Sequence, residues 1–345
     1  MEISLIVITY NQIEYLRRQI ESIKAQRTSA DFEVIIVNDC SSDGTADFLN
    51  SLQKNENWKF INNEKNFGRA MVRNIGADLA SGEILIFVDG DLYLSPNFLE
   101  AHRMFHSNNP DSVAVGKVVY ENGDSLCRYL ETRGAVKMEP GDNLPFRYFV
   151  SWNFSILRSA FSSLEGFDTD FSGYGGEDLE FGYRLTKASQ KIYYLEEATA
   201  THIQHPSLEE MIEKRYRFGI EALPLFMMKH PPAAYDVPIY RLYENKKYRS
   251  ILRIVFSSPM YNFITRLLKI LKIRSNFIYD YLLHGAVFRG LNDSGKGVGS
   301  ELNSNRNSII TLSLIWFLLI NLIYFYQFAS DRYHTLFTVI RSIFG

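Results

Sequence analysis

Residues 84 to 91 read ILIFVDGD, an apolar run that ends in two aspartates separated by a glycine. Two similar apolar runs come earlier, Leu5 to Thr9 and Val34 to Val37, and each is followed directly by polar residues. Short runs that are apolar on both faces are typical of parallel strands covered by helices. The pattern therefore predicts an α/β fold that begins βαβαβ, with a mostly parallel central sheet.

The segments between these runs have the features of helices. The first carries apolar residues at helical spacing, at Ile13, Leu16, Ile20 and Ile23. The second follows Ser41, Ser42 and Asp43, which are favoured before a helix, and a third is predicted over about Arg69 to Ala80. In open sheets of this type ligands bind at the carboxyl ends of the strands, so the polar residues there are the candidates for function.

Composition indicates a folded protein of one or two compact units. The chain has 345 residues, of which 22% are charged and 46% hydrophobic. Its two cysteines, Cys40 and Cys127, form no CxxC pair, which argues against a disulfide framework or a thiolate zinc site and favours a reducing cytosol. A strand is expected from Ile3 onwards, without a preceding apolar leader, so we expect no cleaved signal peptide.

The C-terminal third differs from the rest of the chain. Eight basic residues and no acid lie between Glu244 and Asp280, interleaved with apolar residues, which predicts amphipathic helices suited to an anionic membrane surface. Nucleic-acid binding is disfavoured because no recognisable nucleic-acid module accompanies these residues. We predict a catalytic domain over 1–232 that ends near Pro231-Pro232, a basic amphipathic region over 233–300, and a hydrophobic helix with a short tail over 301–345.

The strongest membrane signal lies close to the C-terminus. Residues 307 to 330 contain no charge, and 16 of the 20 positions from Ile309 to Phe328 are apolar or aromatic. Twenty helical residues span roughly 30 Å, about the thickness of the hydrocarbon core of a bilayer. A buried helix or a contact in a homo-oligomer is the alternative. We expect association with the cell membrane, with the catalytic domain in the cytoplasm.

Asp89 and Asp91 are candidate ligands for a hard divalent cation. The intervening Gly90 lets both carboxylates point toward one ion, and Mg2+ or Mn2+ bound there would neutralise the phosphates of a nucleoside diphosphate. The alternative is a simple turn, since Asp-Gly-Asp is also common turn chemistry. The pattern alone does not decide between them.

Four sequence blocks decide the question, because together they resemble the inverting family 2 glycosyltransferases of the GT-A fold over about residues 3 to 205. The blocks are Ile8-Thr9-Tyr10-Asn11, Val37 to Thr45, Asn66 to Asn74, and Val88-Asp89-Gly90-Asp91. The resemblance implies that Thr9, Tyr10, Asp39 and Arg73 line the nucleotide pocket. It also implies that Asp91 binds the metal and that Asp89 supports the ribose or the metal. Uridine is the base that the resemblance favours, although Asn38-Asp39 stands where the family usually has two acids.

A second motif, Gly173 to Arg184, is similar to the acceptor-side motif of galactosyl- and N-acetylgalactosaminyltransferases. By this resemblance Asp178 is the base that deprotonates the acceptor hydroxyl, and Glu177 orients the acceptor. The preceding glycines, Gly176 among them, would let the backbone approach the sugar ring. The structural alternative is that these acids only stabilise the first turn of a helix.

Three further residues are assigned by position in the family. His202 is expected to complete the cation site with Asp89 and Asp91, and His205 is the fallback. Trp152 and Asn153 are expected to contact the acceptor or the donor sugar, Trp152 by stacking and Asn153 through its amide. Packing in the core is the alternative for Trp152.

The sequence thus predicts an inverting glycosyltransferase that uses a nucleotide sugar, with a glycan or lipid-linked acceptor and Mn2+ or Mg2+ as cofactor. The alternatives are a non-catalytic membrane-associated scaffold that binds nucleotide, and a processive polysaccharide synthase. The synthase is disfavoured because Arg215-Tyr216-Arg217-Phe218 stands where a Gln-x-x-Arg-Trp type motif would be expected. A nucleotidyltransferase is disfavoured because the glycine-rich loop for a triphosphate is missing after the first strand.

Overall fold

The computed structural model describes residues 1–52, 57–138, 141–271 and 275–295. Its centre is one eight-stranded sheet. The strands are β1 (Ile3–Thr9), β2 (Phe32–Asn38), β3 (Trp58–Asn62), β4 (Ile84–Asp89), β5 (Leu92–Leu94), β6 (Ser112–Tyr120), β7 (Asn153–Leu157) and β8 (Lys191–His202).

Fourteen helices are described around and beyond the sheet. They are α1 (Ile13–Lys24), α2 (Thr45–Ser51), α3 (Arg69–Asp78), α4 (Phe98–Asn108), α5 (Ser125–Glu131), α6 (Arg158–Ser163), α7 (Glu177–Lys187), α8 (Leu208–Arg217), α9 (Leu223–Lys229), α10 (Pro231–Ala234), α11 (Pro238–Glu244), α12 (Lys246–Val255), α13 (Ser258–Leu271) and α14 (Asn276–Ser294). A π-helical turn, Phe218–Ala222, joins α8 to α9.

The sheet is mixed, with a parallel half that the sequence predicts. Its strand order is β3-β2-β1-β4-β7-β6-β8-β5, and β1 pairs in parallel with both β2 and β4. Beyond β4 the pairing becomes antiparallel to β7, and β6 pairs in parallel with β8. The predicted βαβαβ beginning is confirmed. The strand β3 is an additional one, which its half-buried residues do not predict.

Two apolar layers cover the sheet. One face packs Ile6, Ile35 and Phe87 under α3 and the Phe154, Phe167 and Phe181 rings, and the other packs Leu5, Val34 and Ile86 under α1 and α4. Successive residues of β1 thus enter opposite layers, as the alternation of side chains along a strand requires. This arrangement buries all seven residues of β1 and fixes the carboxyl ends of the strands at one edge.

The C-terminal helices pack onto the sheet domain through a second core. Phe146, Phe171 and Leu179 from the sheet domain share this core with Phe226, Phe256 and Phe288. The helix α14 crosses the π-helical turn so closely that a Cβ on Gly219 would collide with the Val287 carbonyl, and one on Gly290 with the Tyr216 carbonyl. The expectation of surface-lying amphipathic helices throughout 246–290 is therefore wrong for α14, which is buried along most of its length.

None of the described helices is long and apolar enough to cross a membrane. The predicted membrane helix over 307–330 lies outside the described residues.

Candidate active site

The candidate residues gather where several strands end. Ile8 of β1 lies opposite Asp89 of β4, and both Leu92 of β5 and Tyr120 of β6 pair with His202 at the end of β8. The first turn of α7 brings Glu177 and Asp178 to the same place, as their contacts with residues of β4 and α3 show. Folding thus brings together residues that lie more than a hundred positions apart in the sequence.

A buried arginine joins the two acidic motifs. The side chain of Arg73, on α3, is only 2% exposed, and its Nη2 donates to Asp89 Oδ1 at 2.8 Å. Its Nη1 lies 3.5 Å from Glu177 Oε1, and its guanidinium faces the ring of Phe167 at 5.6 Å. Nη1 and Nε have no hydrogen-bond partner among the described residues, so Arg73 retains donors for a further group.

Both acids of α7 bind a proton more tightly than an ordinary carboxyl group, because burial raises their pKa values. Burial, and then the charge of Asp178, raise the pKa of Glu177 to about 7, against the opposing charges of Arg73 and Arg69. Burial also raises the pKa of Asp178, while Arg73 and a hydrogen bond from Ser151 oppose the shift. Asp178 Oδ1 is buried and lacks a hydrogen-bond partner, so this oxygen is available to a substrate hydroxyl.

Asp91 and His202 form the part of the site suited to a cation. His202 Nε2 lies 3.6 Å from Asp91 Oδ2, and Asp91 Oδ1 is buried without a partner. Burial raises the pKa of Asp91, the nearby Asp89 adds to this shift, and His202 opposes it. An isolated buried carboxylate gains from a positive ion, so this donor pair fits a divalent cation that takes its other oxygens from phosphates and water.

The predicted three-residue metal site is not formed. Among the residues that the structure describes, no group of three or more His, Cys, Asp or Glu side chains could hold a metal ion. Asp89 Oδ1 accepts a hydrogen bond from Arg73 Nη2 in this arrangement. Of the two candidate histidines, His202 is the one beside Asp91, whereas His205 is exposed and packs against the edge of Tyr120 at 6.4 Å.

Asp39 occupies the end of β2 and organises the neighbouring loop. Its carboxylate accepts hydrogen bonds from the backbone N–H groups of Phe67 (2.8 Å) and Gly68 (2.9 Å) and from Asn63 Nδ2 at 3.2 Å. Asp39 thus caps this loop in the structure, and its contact with a nucleotide stays a prediction. Nearby, Thr9 is buried with its Oγ1 unpartnered, and Tyr10 is 49% exposed.

The three residues assigned to the sugar behave differently from one another. Trp152 is half-buried, and its ring meets that of His202 edge-on at 6.4 Å, so it lines the site. Asn153 bonds protein groups in the structure, and its contact with a sugar stays a prediction. It is fully buried, its Nδ2 donates to the carbonyls of Lys117 and Ala198, and its Oδ1 lies 3.3 Å from His102 Nε2.

The structure shows a packing reason for the glycine at position 176. Its φ of +95° lies in the region that favours glycine. A Cβ at this position would lie 2.6 Å from Ala222 Cβ and 2.7 Å from the ring of Phe171. Packing against Ala222 and Phe171 therefore requires the glycine, and close approach to a sugar stays a prediction.

The sequence motifs do not identify four further residues of the site. Gln12 donates to Asp91 Oδ2 at 3.0 Å, and Tyr120 stacks on the His202 ring at 5.1 Å. Arg69 places its guanidinium 5.0 Å from the ring centre of Tyr174, and Ser151 bonds Asp178. Gln12 and Arg69 stand within or next to the quoted motifs, whereas only the folded sheet reveals Tyr120 and Ser151.

Comparison with known proteins gives a consistent picture. Residues 4–173 match the family model for Glycosyl transferase family 2. Validoxylamine A glucosyltransferase from Streptomyces hygroscopicus subsp. jinggangensis is 27% identical over 265 residues, which cover 66% of this chain and 61% of that protein. The chain therefore matches about three fifths of the length of this relative.

Two solved structures share the fold. The mannosyltransferase PcManGT from Pyrobaculum calidifontis, in complex with GDP-Man and Mn2+, has a TM-score of 0.59 at 15% identity, covering 86% of this chain and 88% of its own. S. aureus TarS 1-349 in complex with UDP-GlcNAc has a TM-score of 0.54 at 19% identity, covering 85% of this chain and 89% of its own. At these identities the likeness establishes the GT-A-like α/β fold.

Proposed function

We propose that this chain, whose residues 4–173 match the family model for Glycosyl transferase family 2, transfers a sugar from a nucleoside diphosphate donor to an acceptor hydroxyl with inversion at the anomeric carbon. One observation carries the proposal. The buried guanidinium of Arg73 holds Asp89, at the donor side, beside the acids of α7, so that a diphosphate sugar and a proton acceptor would meet in one cleft.

The proposed reaction is a single displacement. The Asp178 carboxylate takes the proton of the acceptor hydroxyl as the oxygen forms its bond to the anomeric carbon. The bond from that carbon to the diphosphate oxygen breaks at the same time, and its electron pair leaves with the diphosphate. The raised pKa of Asp178 suits a base, because a carboxylate with its ordinary pKa would bind the proton too weakly. Glu177 orients the acceptor.

Asp91 and His202 are the residues that would hold the cation, Mn2+ or Mg2+. When bound, such an ion supplies positive charge that stabilises the departing diphosphate. The Pyrobaculum mannosyltransferase is in complex with GDP-Man and Mn2+, which supports this choice of ion. Gln12 and Tyr120 keep Asp91 and His202 in place from opposite sides.

On the donor side, Thr9, Tyr10, Asp39, Arg73 and Asp89 form the proposed nucleotide pocket. Arg69 adds a positive charge at its opening, because the residue is exposed while its charge acts on Asp89 and Glu177. Uridine is the proposed base, supported by the TarS complex with UDP-GlcNAc. The sugar itself is left open.

We propose further that the acceptor is a glycan or a lipid-linked glycan and that the chain works at the cell membrane from the cytoplasmic side. The support is the exposure of Ile254 (50%), on α12 with Arg249 and Arg253, and of Phe263 (55%), on α13 with Arg266. Recovery of the full chain in the soluble pool after detergent-free fractionation would contradict this part of the proposal.

Ligand-induced stabilisation provides the direct test of donor binding. Melting temperatures of the full chain would be measured with UDP, GDP and their sugars, each with and without Mn2+. A ligand at 100 times its dissociation constant adds about 2.7 kcal/mol of stability. We expect UDP with Mn2+ to stabilise the wild type and Asp91→Asn to lose the effect of Mn2+. No stabilisation by any nucleotide would refute the proposed function.

A further inference from the structure

A group of basic side chains lies beside the proposed site without a role in it. Arg133 follows α5, Lys137 ends the short 3-10 turn Gly134–Lys137, and Arg215 lies near the end of α8. His284 of α14 faces the same group. Lys137 and Arg215 are exposed, so the group opens to solvent.

Packing brings these elements together around one buried acid. Asp280 of α14 accepts from Tyr129 Oη at 2.7 Å and from Arg133 Nη2 at 3.0 Å. Leu208, Met211 and Ile212 of α8 pack against Tyr279 and Leu283 in the same cluster. Arg215 comes one helical turn after Met211 and Ile212, which places it on the face of α8 that contacts α14.

The charges in this group do not cancel. Arg133, Lys137 and Arg215 are positive, while Asp280 is the one acid that contacts them through an ion pair among the described residues. Burial, together with the charges of Arg215, Arg133 and Lys137, lowers the pKa of His284 to about 4 in spite of Asp280, so His284 is neutral at pH 7. The net charge of the three basic residues, His284 and Asp280 together is therefore +2 at neutral pH.

Unused hydrogen-bond donors accompany the excess charge. Arg133 uses Nη2 on Asp280, and its Nε is buried without a hydrogen-bond partner. Lys137 and Arg215 form no ion pair with any residue that the structure describes. Burial and the charge of Arg133 lower the pKa of Lys137, a repulsion that a bound anion would relieve. Glu213 is two residues from Arg215, hence roughly 200° around the helix and facing away from the group.

The group is close to the proposed active site yet separate from it. The strand before α5 ends at Tyr120, which stacks on His202, and α8 begins six residues after His202. Both elements carry their basic residues at their far ends, and a seven-residue helix is about 10 Å long. Among the described residues, none of these three basic side chains pairs with Asp91, His202 or Asp178, so the group is separate from the residues that would hold the donor diphosphate.

We infer that Arg133, Lys137 and Arg215 form a subsite for a phosphate- or sulfate-type anionic group carried by the acceptor, away from its reacting hydroxyl. The inference rests on the proposed function and narrows its acceptor to an anionic glycan. Arg133, fixed by Asp280, presents its remaining donors, and the exposed Lys137 and Arg215 close on the anion from two sides.

Fluorescence anisotropy tests this subsite with labelled dextran sulfate and with labelled neutral dextran as probes. The full-length wild type, the double variant Lys137→Gln/Arg215→Gln and the control Lys187→Gln/Lys191→Gln would be compared. The control removes the same charge from exposed residues, and Lys191 lies at the start of β8, roughly 35 Å along the strand from His202. We expect binding of dextran sulfate alone, weakened at least about tenfold in the test variant and less than twofold in the control.

The other outcomes are decisive as well. Equal weakening in both variants, or no binding by the wild type, would overturn the subsite. If the test variant bound vesicles containing phosphatidylglycerol more weakly than the wild type but bound dextran sulfate equally well, the basic group would belong to a lipid-binding surface. This result would also overturn the subsite. Stabilisation of each variant by UDP and Mn2+ is measured in parallel. Its persistence shows that the variants are folded, and its absence in the wild type would refute the proposed function independently of the subsite.

Discussion

Replacing Arg73 with methionine tests how the two acidic motifs are held together. The substitution keeps an apolar stem but leaves Glu177, which is 3% exposed, and the partly buried Asp89 without their shared cation. Removal of one partner from a buried ion pair typically costs about 3 to 5 kcal/mol, because a buried charge is left uncompensated. We expect a loss of this size in the free energy of unfolding at pH 8.5.

The loss should depend on pH in a definite direction. Below the Glu177 pKa of about 7 this side chain holds a proton in the folded protein, and a neutral acid has little need of Arg73. The cost of Arg73→Met should therefore be smaller at pH 5.5 than at pH 8.5. Urea unfolding followed by circular dichroism measures both values, provided that the dependence on urea concentration is unchanged.

The matched control is Arg18→Met. Arg18 pairs with Glu121 at 2.7 Å, but both side chains are exposed, 47% and 40%. Exposed pairs contribute about 0 to 1 kcal/mol, so this variant should unfold almost like the wild type. A loss for Arg73→Met no larger than that of Arg18→Met, or one that is equal at both pH values, would refute the interpretation of Arg73 as a buried bridge.

Three further predictions concern individual residues. Asn153→Ala should lower the free energy of unfolding by about 1 to 3 kcal/mol, because Asn153 bridges buried groups, and it should leave the KM for the donor unchanged. A raised KM with unchanged stability would instead support a place for Asn153 in the sugar pocket. Burial lowers the pKa of His102 to about 3 and that of His106 to about 4. Their contribution to the free energy of unfolding is therefore full above pH 6.5. It is lost as the pH falls toward 4, by up to about 1.4 kcal/mol per pH unit for each histidine. Urea titrations at pH 7 and pH 5 should show this loss, and a variant lacking both histidines should not. His202→Ala should raise the Mn2+ concentration needed for half-maximal transfer by tenfold or more, whereas His205→Ala should leave it unchanged; the reverse ranking would exchange their roles.

The parallel half of the sheet was predictable because its strands are apolar on both faces. The runs that contain Leu5, Val34 and Ile84 coincide with β1, β2 and β4 to within a few residues. The strand β3 was not predictable from its sequence, since Trp58 to Asn62 are at most half-buried and lack a continuous apolar run. The strand forms through its pairing with β2, which the pattern of its own residues does not indicate.

The candidate site was predictable as a set of residues but not as a set of contacts. Position after a strand brought Asp89 and Asp91 together, and the family resemblance added His202, yet neither could show that Arg73 would bind Asp89. The place of Asn153 in the family motif likewise says nothing about the protein groups that bond its amide. Sequence pattern locates residues along strands, whereas the direction of each side chain depends on packing across the sheet.

The C-terminal helices show the same limit. Alternating basic and apolar residues predict amphipathic surface helices, and α12 and α13 do carry exposed basic or apolar side chains. The helix α14 is instead buried because Gly219 and Gly290 allow it to approach the π-helical turn closely. Isolated glycines in a helical pattern gave no indication of this contact before the structure placed them opposite each other.

The most direct test of the proposed chemistry is transfer by Asp178→Asn, measured as nucleoside diphosphate released in the presence of acceptor and Mn2+. Asparagine keeps the size of the side chain and cannot accept the acceptor proton, so we expect turnover to fall at least about a hundredfold while UDP still stabilises the variant. Near-normal turnover by Asp178→Asn would contradict the account, because the proton acceptor would then lie elsewhere.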